Sequence, residues 1–131
     1  MYVIGMEIKL APDIKKIVNR LVPRLPFAVY INPKRIICMR SYKATSRARA
    51  RIWSFPRIWQ MALKLPPYYV IEVLSGHFDH LSDDDKTRVL IHELMHIPKN
   101  FSGALVPHRG LHKRINHGTV EQMFRLYKDS I

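Results

Sequence analysis

The chain predicts an α+β fold, a small and mostly antiparallel sheet packed against helices. Three observations carry that prediction. Short apolar segments, broken by proline and glycine turns, run through the first half of the 131 residues. A long apolar helix follows the strands instead of alternating with them, which separates the pattern from a parallel α/β fold. The C-terminal stretch then returns to helical spacing.

The elements follow in order. Pro12 to about Val22 reads as a helix with proline in its first turn, and Ile14, Ile17, Val18 and Leu21 form its inward stripe. Pro23 and Pro26 break it. Phe27 to Ile31 reads as a strand, Asn32-Pro33-Lys34 as a turn, and Ile36 to Arg40 as a second strand forming a hairpin with the first. Residues 48–53 make a third strand. Alternation would place Arg47, Arg49 and Arg51 on one face and Ala48, Ala50 and Ile52 toward the core. Trp53 and Trp59 are expected in the core. Pro56 to Leu65 reads as a short helix ended by Pro66-Pro67, and Tyr68 to Leu74 as a fourth strand. A last helix runs from about Thr119 to Lys128, with Thr119 to Gln122 as a capping box and Val120, Met123, Phe124 and Tyr127 as its apolar face.

Composition excludes several classes. The length suits one domain with a real core, over residues 1–131. No apolar run approaches 18 residues, so no transmembrane helix and no membrane partner are expected. The N-terminus lacks a basic region and a cleavage site for secretion. Cys38 is the only cysteine, which suits a reducing, cytoplasmic setting.

The chemistry concentrates in His92-Glu93-Leu94-Met95-His96, an H-E-x-x-H pentapeptide. On a helix, positions i and i+4 share a face, so two imidazoles there can converge on one Zn²⁺. Glu93 lies about 100° around the helix from His92. A carboxylate so placed can take a proton from water beside the metal, the arrangement of a zinc hydrolase. The context supports it. Ser82 to Ile97 reads as one helix: Ser82 is an N-cap, Asp83, Asp84 and Asp85 suit the positive end of the dipole, and Pro98 ends it. Val89, Leu90, Ile91, Leu94, Met95 and Ile97 make it a core helix. Two imidazoles and a carboxylate in so apolar a helix need a compensating partner.

A catalytic zinc site takes three protein ligands. His77, His80, His108, His112 and His117 are the remaining histidines, and Glu121 on the last helix is a carboxylate alternative. The metzincin pattern is excluded, because Pro98-Lys99-Asn100-Phe101 stands where a glycine and a histidine would follow. His108 is favoured: it ends a turn-rich loop, Pro98 to Pro107, long enough to fold back to the metal. His112 and His117 remain candidates for the ligand, and with Arg109 and Tyr127 for the donor that would stabilise a tetrahedral oxyanion or orient the ligands. His77 and His80 read as loop residues.

The string from His92 to His108, with His-Glu-Leu-Met-His-Ile-Pro, Phe101-Ser102-Gly103 and Pro107-His108, resembles metallopeptidases found in archaea and phages. Arg40-Ser41-Tyr42, Ser46 to Trp53 and Tyr69 to Ser75 share the resemblance, which spans roughly residues 12–127. It implies a compact zincin-like domain, distantly similar to SprT-like proteases and minigluzincins. It also implies His92, His96 and His108 as ligands of Zn²⁺, Glu93 as the catalytic acid/base, and a protein or peptide substrate.

Charge adds one further expectation. The formal net charge is +12, and no acidic residue stands between Asp13 and Glu72, where thirteen are Lys or Arg. Such a block attracts polyanions. Arg47, Arg49 and Arg51 are candidates for contact with DNA or RNA, or with substrate, which would suit a peptidase acting on nucleic-acid-associated proteins. The alternative is a basic nucleic-acid-binding module whose zinc site is structural or vestigial. The oligomeric state is not legible.

Overall fold

The structure is a computed structural model that describes residues 7–110 and 114–131. Four strands form one sheet: β1 (Glu7–Leu10), β2 (Ile36–Tyr42), β3 (Ala50–Trp53) and β4 (Tyr69–Leu74). Their spatial order is β1-β2-β4-β3. β1 pairs antiparallel with β2, β3 antiparallel with β4, and the central pair β2–β4 is parallel. The helices are α1 (Pro12–Leu21), α2 (Arg57–Leu63), α3 (Ser75–Phe78), α4 (Asp83–Met95) and α5 (His117–Asp129). This is the expected α+β arrangement, a mostly antiparallel sheet with helices packed on it, consistent with a zincin-like domain.

One face of the sheet is covered by helices; the other is open around Ile37 and Trp53 but buried at Ser41, Glu72 and Leu74. Register places Ile36, Cys38, Tyr69, Ile71, Val73 and Ile52 on the covered side, against Ile14, Val18 and Leu21 of α1 and Leu90, Ile91 and Leu94 of α4. Those three α4 side chains are fully buried, each contributing about 1.5–3 kcal/mol by transfer from water. That burial fixes the azimuth of α4, and hence where its polar residues point. Ser82 caps α4 as expected, its hydroxyl accepting from the Asp85 N–H at 3.1 Å. Arg40 ties β2 to α1 and α3, donating to both Asp13 oxygens and to Asp79. Among the described residues, no helix is long and apolar enough to cross a membrane.

Three expectations need correction. Phe27 to Ile31 is not a strand, and no hairpin joins it to β2. Pro26–Ala28 is a turn of 3₁₀ helix, continued by Ile31 N–H donating to Ala28. Ala28 and Ile31, three apart, are the buried pair, while Val29 is 87% exposed. That is turn spacing, not strand alternation. The strand beside β2 is β1, from a segment the sequence left unassigned. Second, the last helix begins at His117, and its capping box is Asn116 with Thr119. Third, Trp53 and Trp59 are not core residues but are 50% and 57% exposed. Trp53 belongs to the open sheet face, and Trp59 to a helix that points its apolar side outward.

Candidate active site

The burial of α4 leaves His92 half-buried at the surface and sets Glu93 and His96 inside, each 8% exposed. His96 closes the helix as its C-cap residue in helical conformation. Pro98 then turns the chain, and the loop 98–107 folds back along α4. Several bonds hold it there. Tyr69 of β4 donates its hydroxyl to the Ala104 carbonyl at 2.7 Å and accepts from the Gly103 N–H at 2.8 Å. The Phe55 N–H donates to the Gly103 carbonyl at 2.8 Å, and the Gln60 amide donates to the Phe55 and Ser102 carbonyls. Gly103 has φ +94, and a Cβ there would lie 2.3 Å from the Phe55 carbonyl oxygen, so both conformation and space require glycine.

The returning loop brings His108 to α4. His92 Nε2 lies 3.1 Å from His108 Nε2 and 3.4 Å from His96 Nε2. All three ligand atoms fall within 4.8 Å of one another, the only such His/Cys/Asp/Glu group among the described residues. Two nitrogens bound tetrahedrally at 2.0–2.1 Å from one zinc would be about 3.3 Å apart. The separations therefore fit a shared metal ion. Ring orientation fits as well. His96 Nδ1 lies 2.6 Å from the Val106 carbonyl oxygen, an acceptor only, so Nδ1 carries the proton and Nε2 presents its lone pair. Burial, and next the neighbouring His96 and His108, push His92 down to about 4. It is neutral at physiological pH, as a ligand must be.

Glu93 points toward the edge strand β3. Burial pushes its carboxyl up to about 8, with a hydrogen bond from the Ile52 backbone pulling the other way. A cleft of about 310 Å³ opens beside it, lined by His92, Glu93, Arg49, Ala50, Val89 and His117 among others. Its far wall is braced by Arg88, which donates to Glu121 and Asp85 and lies 4.1 Å over the Phe124 ring. The Leu74 N–H donates to the Arg49 carbonyl. By antiparallel alternation, the backbones of Ala50 and Ile52 then turn to the free edge of β3.

The other singled-out residues fall as follows. His117, first residue of α5, lines the cleft. Tyr127 is in the hydrophobic core. Arg109 is exposed and bridges to Arg114. His112 lies outside the described residues. His77 sits on α3 and His80 just beyond, both exposed and outside the three-histidine group. Glu121 lines the cleft but is held by Arg88. Arg47 and Arg49 are exposed, whereas Arg51 donates to Glu72 at 2.8 Å. Sequence reasoning missed the Val106 carbonyl and the Ile52 N–H, because backbone groups leave no compositional trace. It also missed the anchoring role of Tyr69 and Gln60.

Comparison with known proteins gives one relationship. No curated protein and no solved structure matches the chain. Residues 6–128 match a family described as "putative phage metallopeptidase". With nearly its whole length matched, the chain belongs to that metallopeptidase family.

Proposed function

We propose that the protein is a zinc-dependent endopeptidase in which His92, His96 and His108 hold the metal and Glu93 is the general base. One observation carries the reading: three Nε2 atoms converge at metal-sharing distances beside a buried carboxyl that opens on a cleft. Zinc, when bound, supplies Lewis acidity that acidifies water and polarises a peptide carbonyl.

The chain's own groups supply the rest. Glu93 accepts the proton of the attacking water and returns it to the leaving amine. Its apolar surroundings suit both steps, because they raise its basicity. A cation held by the neighbouring imidazoles favours the ionised form at neutral pH. An extended substrate can pair with the free edge of β3 at Ala50, beside Glu93. His117, across the same cleft, is the group best placed to donate to the oxyanion. Tyr127 is enclosed in the core, which counts against it.

The alternative, a nucleic-acid module with a structural zinc, has less support. Structural zinc sites close with four protein ligands, and among the described residues the group has three. Nor does a structural site need a buried carboxyl at a cleft. Arg47 and Arg49 leave phosphate contact open for a nucleic-acid-associated substrate, but Arg51 is occupied by Glu72.

Glu93→Gln tests the reading. Zinc should bind with unchanged stoichiometry while casein cleavage falls by at least about a hundredfold, the scale of a lost general base. Undiminished cleavage in that variant would remove Glu93 from its role.

A further inference from the structure

The short helix α2 is built inside out. At 100° per residue, Met61, Ile58, Ala62, Trp59 and Leu63 occupy an arc of about 200°. Gln60, Lys64 and Arg57 fill the remainder. In a helix packed on a core the apolar arc faces inward. Here the inward residue is Gln60, bound to the Phe55 and Ser102 carbonyls. Among the described residues of α2, none is buried. Ile58 is 69% exposed, Met61 64% and Trp59 57%, and Leu63 and Leu65 are exposed beside them.

The open sheet face adds to this apolar surface. Register puts Ile37, Val70 and Trp53 in one row across it, and Ile37 and Trp53 are exposed. The Trp53 indole N–H donates to Glu72 at 2.8 Å, which holds the ring in place three residues before Pro56 and the start of α2.

We propose that α2 and Trp53 form a docking surface for an anionic lipid bilayer. Charge selects the class of partner. The surface lies within the segment between Asp13 and Glu72, which has no acid and thirteen Lys or Arg; Arg40 and Arg51 are held by Asp13, Asp79 and Glu72, while Arg47, Arg49, Arg57 and Lys64 are exposed. A second copy of a chain carrying +12 would meet like charge with like. An anionic surface is complementary. The shape of the patch selects the lipid. A protein groove receives a narrow stripe of anchors at i, i+3, i+4 and i+7. A bilayer interface accepts a broad apolar arc on a projecting element, with tryptophans at headgroup level and long cations reaching back to phosphates. Arg57 and Lys64 flank the apolar arc of α2 on its polar side and are exposed. Nucleic acid has use for the tryptophans and cations, but none for Ile58, Met61 and Leu63.

Apolar run length in the sequence speaks only to a membrane span. Peripheral docking needs no span. Gln60 also links α2 to Ser102 in the loop that carries His108, so a docked helix would hold the cleft close to the lipid surface. The docking itself stands independently of the peptidase reading.

The test is flotation of the full chain with vesicles of phosphatidylglycerol and with vesicles of phosphatidylcholine. Ile58→Ser, Trp59→Ser and Met61→Ser are combined in one variant. These side chains are exposed, so the variant should keep its circular dichroism and melting temperature; if it fails to fold, Trp59→Ser alone replaces it. Binding to phosphatidylglycerol, weak binding to phosphatidylcholine, a blue shift of tryptophan emission, and at least a tenfold loss in the variant would support the proposal. Three results would overturn it. One is no preference for phosphatidylglycerol. Another is binding unchanged by the substitutions, which would make it purely ionic. The third is a vesicle-independent dimer or a single-stranded DNA complex that the same substitutions abolish, which would assign the surface to a second copy or to nucleic acid.

Discussion

His96 and Val106 are joined at two points. The Val106 N–H donates to the His96 carbonyl at 2.7 Å, and His96 Nδ1–H donates to the Val106 carbonyl at 2.6 Å. One residue of the loop thus closes the end of α4 and sets the tautomer of an imidazole two positions before Pro98. Position and proton are controlled together, so the loop that delivers His108 also prepares His96.

Val106→Pro should separate these tasks from folding. Proline removes the N–H and so one of the two bonds, while Pro107 already restricts the residue before it. Partners that orient a ligating imidazole are worth about 10–100-fold in metal affinity. The carbonyl that accepts from the ring is kept but loses its anchor to α4, so zinc affinity, measured by competition with a chromogenic chelator, should fall toward the lower end of that range, about tenfold. Val106→Ala keeps the N–H and should change affinity by less than about threefold. Equal affinities for both variants and the wild type would show that the pairing does not orient His96.

The helix that carries His92 and His96 was legible because its information is local. His92 and His96 are four apart, Ser82 caps, and Pro98 stops, all within one stretch of chain. That His108 lies beside this pair was expected from the length of the loop and from the resemblance to metallopeptidases. What failed was non-local. The place of β1 beside β2 depends on pairing across some thirty residues, from Leu10 to Met39, and nothing in Glu7 to Leu10 announces a partner. Phe27 to Ile31 was misread because an apolar run looks alike whether it alternates or turns. Only the burial of Ala28 and Ile31, three apart, decides it. Trp53 and Trp59 failed for another reason. Aromatic residues are usually inside, and a sequence cannot show that a sheet leaves one face uncovered.

Glu72 should make stability fall on acidification. Its carboxylate lies 3% exposed on the sheet face away from α1 and α4, beside the buried Ser41 and Leu74. Burial there pulls its pKa up, but hydrogen bonding with Arg51, Ser41 and Trp53 and the charge of Arg51 outweigh this, and the carboxyl ends below its ordinary value of 4.5. A carboxyl with a depressed folded pKa stabilises above the unfolded value, and that stability is lost as pH falls through the folded pKa. Glu72→Gln should therefore cost about 1–3 kcal/mol at neutral pH. The difference from wild type should shrink steadily once the pH drops below 4.5. Urea titrations of both proteins at several pH values will show it. A gap that stays constant to the acid limit would mean that shape, not charge, holds Arg51 and Trp53.

His117 offers the sharpest test of how the cleft works. It opens α5, whose Asn116 cap and Thr119 box fix the first turn, and it shares the cleft with His92 and Glu93. If it donates to the oxyanion, the interaction exists only as the carbonyl becomes tetrahedral, so His117→Ala should act on kcat and leave KM nearly unchanged. Loss of one such donor costs about 10²–10³ in kcat. Zinc content should be preserved, since His117 lies outside the three-histidine group. Tyr127→Phe, in the core of the same helix, should leave kcat within about threefold and report only on packing. A full kcat in the alanine variant would take His117 out of the reaction, and a lost metal would instead make it a ligand.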